Sequence, residues 1–484
     1  MKLFKQTQTQ TRSRAKAKSK AKSKAKTPTT GRFIYEGYEI DPSNGTITCR
    51  YQLNSFEFVE TFIFAAEGNW NSPGLEAAAR LLFLVAGISY YKAGAPATID
   101  LGSLATSDVE REFIRSLYIN GLAEFCYVNN LDISNLDIQG PDTSESSENP
   151  ADSNGSPTPL VTTSSDHAES LLISSAPLIP FGGGIDSIIT VETLRNQFPN
   201  SALFIVSRVG DFFEAIENPA KVTGLPIVRA ERAIDPQILH SRELGFLNGH
   251  VPVTAIISAM AVVAALLDSR DAVVMSNEWS ASIPTLTADF KFVNHQWSKG
   301  LEFETSFRRV LSETVGSNIE YFSLLRPYSE FWIASRFASL TQYHDSFRSC
   351  NKAFHIEREK RLDHWCAECD KCCFIDLILS PFVDAHTLNN IFGGNEPLSN
   401  IGLRGHFQSL IGTSSIPKPF DCVGEQNECR AAVKLAAARP DRSDNEVLRS
   451  LLIEVDNAHG APDTSQLLSP RGQHFIPDNY APSD

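Results

Sequence analysis

The sequence lacks a hydrophobic run long enough to cross a membrane. Its longest apolar stretch, residues 254–267, is shorter than the ~20 residues of a membrane-spanning helix and is typical of a core helix. The basic N-terminal segment contains no apolar stretch of the kind that a secretory signal requires. We therefore expect a cytoplasmic protein that has no membrane partner.

The body of the chain also lacks an excess of basic residues. The 484 residues include 43 Lys or Arg and 57 Asp or Glu, and 11 of the basic residues lie in the first 32 positions, which contain no acid. The remainder therefore carries a net charge of −25, which argues against a nucleic-acid partner. A small acidic or nucleotide-linked substrate in a local basic pocket is compatible with this charge. The sequence does not indicate an oligomeric state.

Composition divides the chain into six predicted segments. The Ala-Lys-Ser tail and the Ser-, Pro- and acid-rich segment after residue 135 are too polar to bury a core, so we expect both to be disordered. Alternating apolar residues around Asn44-Gly45 predict a β-hairpin, and helical periodicity follows it. The segments are a basic tail (1–31), an α+β domain (32–135), a linker (136–170), an ATP-binding domain with a cysteine-rich end (171–390), a helical region (391–458) and a disordered tail (459–484).

After the linker, strand and helix patterns alternate. Buried strands are predicted at 171–179, 202–206, 226–229 and 272–275, with helices near 187–197, 211–223 and 253–268 between them. This alternation predicts an α/β fold with a doubly wound parallel sheet. Ligands of such sheets bind beyond the carboxyl ends of the strands.

A glycine triplet stands between the first of these strands and its helix. Gly182, Gly183 and Gly184 run into Asp186 and Ser187, which suits backbone amides that cradle a phosphate at a helix N-terminus. The segment lacks both the Gly-Lys-Ser/Thr of the Walker loop and the spacing of the dinucleotide fingerprint. The alternative is a glycine turn with a capping Asp or Ser.

This loop resembles that of the PP-loop ATP pyrophosphatases, although Gly182 replaces their leading serine. Ile185 stands where a lysine is expected in many members of the epimerase family described below. The resemblance implies that residues 182–187 bind the pyrophosphate of ATP. It places nucleoside contacts at Ser207, after the second strand. Glu278, after the fourth strand, is a candidate ligand for Mg²⁺ beside the phosphates.

A second group of polar residues begins at Asn294. We expect it to open a helix that runs to about residue 314, on which His295, Lys299 and Glu302 share one face. Such a face provides a general acid, a general base and a substrate clamp, or equally a solvated row of ion pairs. Arg326 is a further candidate for binding phosphate or carboxylate.

Four cysteines have metal-ligand spacing. Cys366, Cys369 and Cys372 form two overlapping Cys-x-x-Cys pairs, and Cys350 lies sixteen residues upstream. These four thiolates suit one structural Zn²⁺, although an iron–sulfur cluster would use the same ligands and Cys373 is a possible substitute. The alternative is a set of reduced, partly buried thiols.

Several motifs together resemble the UDP-N-acetylmuramoyl-L-alanyl-L-glutamate epimerase family of peptidoglycan synthesis. They are FGGGIDS (181–187), SNEWS (276–280), NHQWSK (294–299), LRP (325–327), CDKCCF (369–374) and SPF (380–382). The resemblance implies use of ATP and Mg²⁺ to convert the terminal L-Glu of a UDP-linked muramoyl dipeptide to D-Glu, with release of AMP and diphosphate. It further implies that Asp186 and Glu278 hold Mg²⁺ and that His295 and Lys299 move protons or bind carboxylate.

Two other functions remain open at the level of the sequence. The glycine loop and the cysteine motif also resemble 7-cyano-7-deazaguanine synthases, which together with tRNA thiolases represent PP-loop enzymes of nucleobase and tRNA modification. The missing serine at Gly182 leaves room for a non-enzymatic, zinc-tied binding protein with a decayed loop.

Overall fold

The computed structural model describes residues 29–143, 175–288, 291–316, 319–415, 417–458 and 462–482. Most of the predicted basic tail and of the predicted linker, as well as the first residues of the strand predicted at 171–179, lie outside these ranges. In the described part of the chain, no helix is long and apolar enough to span a bilayer.

One ten-stranded sheet forms the centre of the α/β fold, in the spatial order β12-β9-β6-β7-β8-β3-β2-β1-β4-β5. Its pairs are parallel except for β1–β2, β2–β3 and β3–β8. The strands are β1 (Thr29–Asp41), β2 (Thr46–Leu53), β3 (Phe56–Ile63), β4 (Pro96–Asp100), β5 (Asp137–Gln139), β6 (Pro177–Pro180), β7 (Ala202–Arg208), β8 (Ile227–Ala233), β9 (Ala272–Met275) and β12 (Glu320–Ser323), and β10 (Leu286–Ala288) pairs separately with β11 (Lys291–Val293). The predicted α/β fold is confirmed, and the sheet is mostly rather than wholly parallel, because the N-terminal strands β1 to β3 join it through antiparallel pairs.

Helices cover both faces of this sheet. They are α1 (Leu75–Ala86), α2 (Ile88–Tyr91), α3 (Asp108–Gly121), α4 (Ala123–Asn129), α5 (Ile185–Leu194), α6 (Glu214–Thr223), α7 (Pro236–Leu239), α8 (Val253–Leu267), α9 (Leu301–Val310), α10 (Glu330–Phe337), α11 (Asp370–Leu379), α12 (Ala385–Ile391), α13 (Arg404–Ile411), α14 (Gln426–Ala437), α15 (Glu446–Ala458) and α16 (Thr464–Leu467). Alternate residues of β9 enter different hydrophobic cores: Val273 packs with the N-terminal elements and α8, and Val274 with the C-terminal helices. The alternation follows from the two-residue period of a strand.

The predicted hairpin at Asn44-Gly45 is confirmed, because β1 and β2 pair antiparallel around that turn. Gly45 has a φ of 68°, a value that glycine adopts without strain. The N-terminal strands continue into the second half of the sheet through β3 and β8, where Thr61 pairs with Ala233. Beside this seam, the buried Glu60 and Arg232 form an ion pair of 2.7 Å. The division into domains at residue 135 stays a prediction.

Three segment boundaries differ from expectation. Residues 29–31 belong to β1, and β5 begins inside the segment predicted as a linker. Residues 462–482 are not a free tail: Tyr480 is buried, stacks on Phe198 with ring centroids 4.3 Å apart, and bonds Ser175 through its hydroxyl. Leu467 is also buried, and Ser329 donates to its carbonyl oxygen at 2.6 Å, so several contacts anchor this mainly polar segment.

Candidate functional site

The glycine loop joins β6 to α5 at the carboxyl edge of the sheet. Gly183 has a φ of 75°, and a Cβ there would lie 2.3 Å from the carbonyl oxygen of Ala215, so this position accepts only glycine. Gly184 is the N-cap of α5, and Ser187 donates to its carbonyl at 3.0 Å. Ile185 is buried in the core, so it does not occupy the place of a phosphate-binding lysine. The loop therefore presents backbone amides at a helix N-terminus.

Three carboxylates converge beside this loop. Oxygen atoms of Asp186, Glu278 and Glu330 all lie within 4.8 Å of one another. Asp186 lies in the first turn of α5, Glu278 follows β9, and Glu330 begins α10. Burial and the neighbouring carboxylate of Glu278 raise the pKa of Asp186 to about 6, and burial with both neighbours raises the pKa of Glu330 well above its usual range.

The same three carboxylates fit a divalent cation. Asp186 Oδ1 and Glu278 Oε2 are buried and receive no hydrogen bond from the residues that the structure describes. Buried acceptors of this kind are costly unless a partner satisfies them, and oxygen ligands are those that Mg²⁺ prefers. Sequence reasoning identified Asp186 and Glu278 but missed Glu330.

Arg326 is a positioning residue at this site. Its guanidinium is 1% exposed and pairs with Glu304 at 2.9 Å. It also donates to the carbonyl oxygens of Glu278, at 2.7 Å, and of Lys299, at 2.5 Å. Because each of its three nitrogens donates to a protein acceptor, Arg326 holds two site segments in place, and the expected role in binding phosphate or carboxylate has no support from these contacts.

The expected helical face of His295, Lys299 and Glu302 is wrong. Only a short 3-10 turn, Trp297–Lys299, precedes α9, which begins at Leu301 because Gly300 is extended and serves as its N-cap. Glu302 points away and accepts from Asn120 at 2.8 Å. His295 and Lys299 nevertheless come together, because they lie before the helix and both contact Cys422.

Cys422 is surrounded by basic groups. The Lys299 ammonium donates to its sulfur at 3.4 Å, and Lys371 donates to its carbonyl oxygen. His295 hydrogen-bonds its thiol. Burial alone would raise the pKa of Cys422, but Lys299, the His295 hydrogen bond and Lys371 together lower this pKa to about 7. Neutral pH therefore ionises a substantial share of this thiol.

His295 is in turn held by an acid. Its Nδ1 lies 2.5 Å from Glu124 Oε2, and its ring packs on that of His250 with centroids 4.2 Å apart. Burial would lower the pKa of His295, but the bonds with Cys422 and Glu124 raise the pKa to about 9. Burial and the neighbouring charge of His295 lower the pKa of His250 to about 4. Near neutral pH, His295 is the charged ring of this pair.

Lys299 links the thiol to the carboxylates. Burial opposes its charge, but Cys422, Glu278 and Asp186 raise the pKa of Lys299 above its usual value, so it stays an ammonium. Lys371 behaves in the same way, through Glu330, Cys422 and Asp186. The site thus combines a phosphate-type loop, a carboxylate group and a thiol with two fixed cations.

The four cysteines predicted as metal ligands come together. All nine cysteines lie in the described residues as free thiols, and the sulfur atoms of Cys350, Cys366, Cys369 and Cys372 lie within 4.8 Å of one another. Cys373 is buried and does not belong to this group. Ser349, next to Cys350, approaches the glycine loop, where its Oγ would lie 3.1 Å from a Cβ at Gly184. The thiol group, which we call the thiol tetrad, therefore lies close behind the loop.

Ser207 lies at the predicted edge of the sheet. It is in β7, beside the strand that leads to the glycine loop, and pairs in register with Glu231. The following Arg208 forms an ion pair with Asp211 at 3.0 Å. The contact between Ser207 and a nucleoside stays a prediction.

Sequence reasoning missed five groups of the site: Glu124, His250, Glu330, Lys371 and Cys422. Glu330 lies four residues after the candidate Arg326 and carries no motif of its own, and Lys371 was visible only as a residue between two cysteines. Cys422 is one of four cysteines outside the 350–373 cluster, and the sequence does not distinguish it from the other three. Glu124 and His250 have no local signal, because their role depends on contacts with distant residues.

Comparison with known proteins gives consistent matches. The model of the MurL N-terminal domain matches residues 24–324, and that of the MurL C-terminal domain matches residues 346–466. Three curated relatives carry the name UDP-N-acetyl-alpha-D-muramoyl-L-alanyl-L-glutamate epimerase. The protein of Xanthomonas oryzae pv. oryzae is 34% identical over 90% of this chain and 93% of its own, that of a Micromonospora species 36% over 93% and 96%, and that of Salinispora tropica 35% over 93% and 94%. No solved structure matches the chain.

Proposed function

The chain belongs to the MurL family of epimerases, and on that basis we propose that it inverts the terminal L-glutamate of UDP-N-acetyl-alpha-D-muramoyl-L-alanyl-L-glutamate. The product carries D-Glu and serves peptidoglycan synthesis. The observation that supports this substrate most directly is the shared name of three relatives that match along nearly their whole length. The two buried ammonium groups of the site, on Lys299 and Lys371, offer positive charge to an anionic substrate.

We further propose that the reaction proceeds through an adenylated carboxylate. An α-hydrogen beside a free carboxylate is very weakly acidic, because its removal would place a second negative charge on the same group. Attack of the carboxylate on the α-phosphate of ATP forms an acyl-adenylate and releases pyrophosphate. The α-carbon of this mixed anhydride is much more acidic, and hydrolysis after inversion releases AMP. The glycine loop, with Gly183 and Gly184 at the N-terminus of α5, supports this role as a pyrophosphate cradle of the PP-loop type.

Mg²⁺ would be held by Asp186, Glu278 and Glu330. The two unpartnered buried oxygens, one on Asp186 and one on Glu278, support this assignment. The cation would supply neutralisation of phosphate charge when bound. Ser207 is our candidate for a contact with the nucleoside.

His295 and Lys299 are assigned to the reacting end of the substrate. Lys299 offers a permanent ammonium to a carboxylate or phosphate, and His295 offers a ring that holds a proton near neutral pH. Glu302 and Arg326 are not assigned to the chemistry, since Glu302 accepts from Asn120 and each nitrogen of Arg326 donates to a protein acceptor.

The thiol tetrad is proposed to hold one structural Zn²⁺. Four cysteine sulfurs within 4.8 Å of one another, without a disulfide, are the donor set that zinc favours. Such a metal would fix the start of α11, and with it Lys371, which lies between Cys369 and Cys372.

A first experiment tests the proposed ATP site. With the L-Ala-L-Glu nucleotide, ATP and Mg²⁺, Asp186→Asn is expected to lower pyrophosphate release and D-Glu formation by about 10³-fold, because the variant loses a charged ligand in a buried site. Pyrophosphate is measured enzymatically, and D-Glu chromatographically after acid hydrolysis. The control is Asp456→Asn, whose carboxylate is about half exposed and pairs with Lys434 at 3.7 Å. Unchanged pyrophosphate release in Asp186→Asn would contradict the ATP site.

A further inference from the structure

We propose that Cys422 removes the α-proton of the glutamyl residue, with His295 as the group that stabilises its thiolate and Glu124 as the residue that orients the ring. This inference rests on the proposed epimerase function and adds to it the identity of the group that removes the proton.

A thiol, an imidazole and a carboxylate lie in a row in space, and each contacts the next. Glu124 Oε2 lies 2.5 Å from Nδ1 of His295, so the imidazole presents its other nitrogen elsewhere. The same ring hydrogen-bonds the thiol of Cys422. A reactive group, a base beside it and a third group that fixes the base are the usual arrangement of an activated side chain. The three residues come from α4, the segment before α9 and the segment before α14, so tertiary folding alone brings them together.

The charged groups around Cys422 favour a thiolate. The Lys299 ammonium lies 3.4 Å from the sulfur, His295 hydrogen-bonds it, and Lys371 binds the carbonyl oxygen of the same residue. Positive charge beside a thiol stabilises its anion, and the thiolate is the form that removes a proton. The pKa of Cys422, about 7, is therefore matched to proton transfer near neutral pH.

Cys422 is also connected to the proposed ATP site. Lys299 and Lys371, the two cations that contact it, interact electrostatically with Asp186. The carboxyl group to be activated and the adjacent α-carbon are one bond apart in the substrate. A thiol that shares two cations with the carboxylate group is therefore suitably placed to act on that carbon.

The proton transfers balance without an added reactant. The thiolate of Cys422 takes the α-proton, an S–H bond forms, and the electron pair of the broken C–H bond moves into the acyl-adenylate carbonyl as an enolate. A proton from solvent reaches the opposite face of the carbon, which inverts the centre. The new thiol then loses its proton to solvent, because the positive charges of Lys299 and His295 favour the thiolate, and the original ion pair is restored. The product therefore carries solvent hydrogen at its α-carbon.

The first test uses Cys422→Ser in D₂O with ATP, Mg²⁺ and the L-Ala-L-Glu nucleotide. A serine hydroxyl keeps the shape but is far less acidic, so we expect formation of D-Glu and incorporation of deuterium at its α-carbon to fall at least about 10²-fold. Pyrophosphate should still appear, as a burst of about one equivalent per enzyme. The control is Cys126→Ser, which changes another largely buried cysteine, near Glu124 in α4.

The outcomes separate the two proposals. Wild-type rates of D-Glu formation and deuterium incorporation in Cys422→Ser would overturn the role of Cys422. Loss of the pyrophosphate burst together with epimerisation would also overturn it, because the thiol would then serve the first step. A glutamyl thioester on Cys422 in the mass spectrum of the quenched wild-type protein would replace proton transfer by covalent catalysis. Absence of pyrophosphate from the wild-type protein refutes adenylation instead, while the deuterium comparison still tests Cys422.

The second test is alkylation of the folded wild-type protein with iodoacetamide. Cys422 is expected to react at pH 7.5 and to be protected by the L-Ala-L-Glu nucleotide, whereas Cys429, which is fully buried and whose pKa is raised by burial, stays unmodified. Modified cysteines are identified by peptide mass spectrometry. Equal labelling of Cys422 with and without the nucleotide would contradict contact between this thiol and the substrate.

Discussion

The thiol tetrad and Cys422 contain the same side chain in two different surroundings. In the tetrad, Cys350, Cys366, Cys369 and Cys372 have one another as neighbours. Cys422 instead has Lys299 and His295 against its sulfur. Four converging thiols offer a cation a closed set of ligands, whereas one thiol beside two cations becomes an available anion. The neighbours, and not the residue type, decide between a structural and a chemical role.

The largest expected contrast concerns stability. Cys372→Ser removes one of four proposed zinc ligands and is expected to lower the free energy of unfolding by roughly 3 to 5 kcal/mol, because metal binding is coupled to folding. Cys422→Ser should change it by about 1 kcal/mol or less. Urea denaturation followed by circular dichroism measures both, with zinc content by atomic absorption. Equal destabilisation by the two substitutions would remove the distinction between the two kinds of thiol.

A smaller contrast uses one lysine near each thiol site. Lys299→Met removes the ammonium beside Cys422, so the pKa of Cys422 should rise from about 7 toward its usual value, and D-Glu formation should fall by about 10²-fold. The matched control is Lys352→Met, since Lys352 pairs with Glu368 near the tetrad and is about half exposed. The pH dependence of iodoacetamide labelling at Cys422 measures the shift. An unchanged midpoint in Lys299→Met would show that Lys299 does not stabilise the thiolate.

The smallest expected effect comes from the residue that orients His295. Glu124→Gln keeps an acceptor but removes a negative charge, so the pKa of His295 should fall from about 9. Protonated imidazole is then lost at a lower pH, and the alkaline limb of kcat/KM for D-Glu formation should move to lower pH, with a decrease in rate of about 10-fold. Glu112→Gln, which alters an exposed carboxylate paired with Arg309, is the control. A decrease without movement of the alkaline limb would indicate a purely structural role for Glu124.

Much of the fold and part of the site followed from local sequence. The strands near 202–206 and 272–275, the hairpin turn and the four clustered cysteines were predictable because each has a periodic or spaced local pattern. The group around Cys422 was not predictable from local sequence. His295 contacts a carboxylate 171 residues away, and Lys299 contacts the Cys422 thiol 123 residues away. Such pairs have no periodicity along the chain.

The one wrong local prediction at the site has a simple cause. Residues 295–302 were interpreted as a continuous helix, although Gly300 interrupts them. Glycine is a poor helix former and a common N-cap, so the helix begins after it and His295 and Lys299 remain in the preceding segment. The departure from helical geometry is what lets both side chains reach Cys422.

The pairing of β3 with β8 has a consequence for how the protein folds during its own synthesis. Glu60 pairs with Arg232, which lies 172 residues later, so the nascent chain has an unpaired strand edge and an acid without its partner until β8 has left the ribosome. The sheet that β1 to β3 begin is therefore completed only after the second half of the protein has been synthesised. Chaperone dependence of expression and the order in which proteolytic resistance is gained are where this delay should be visible.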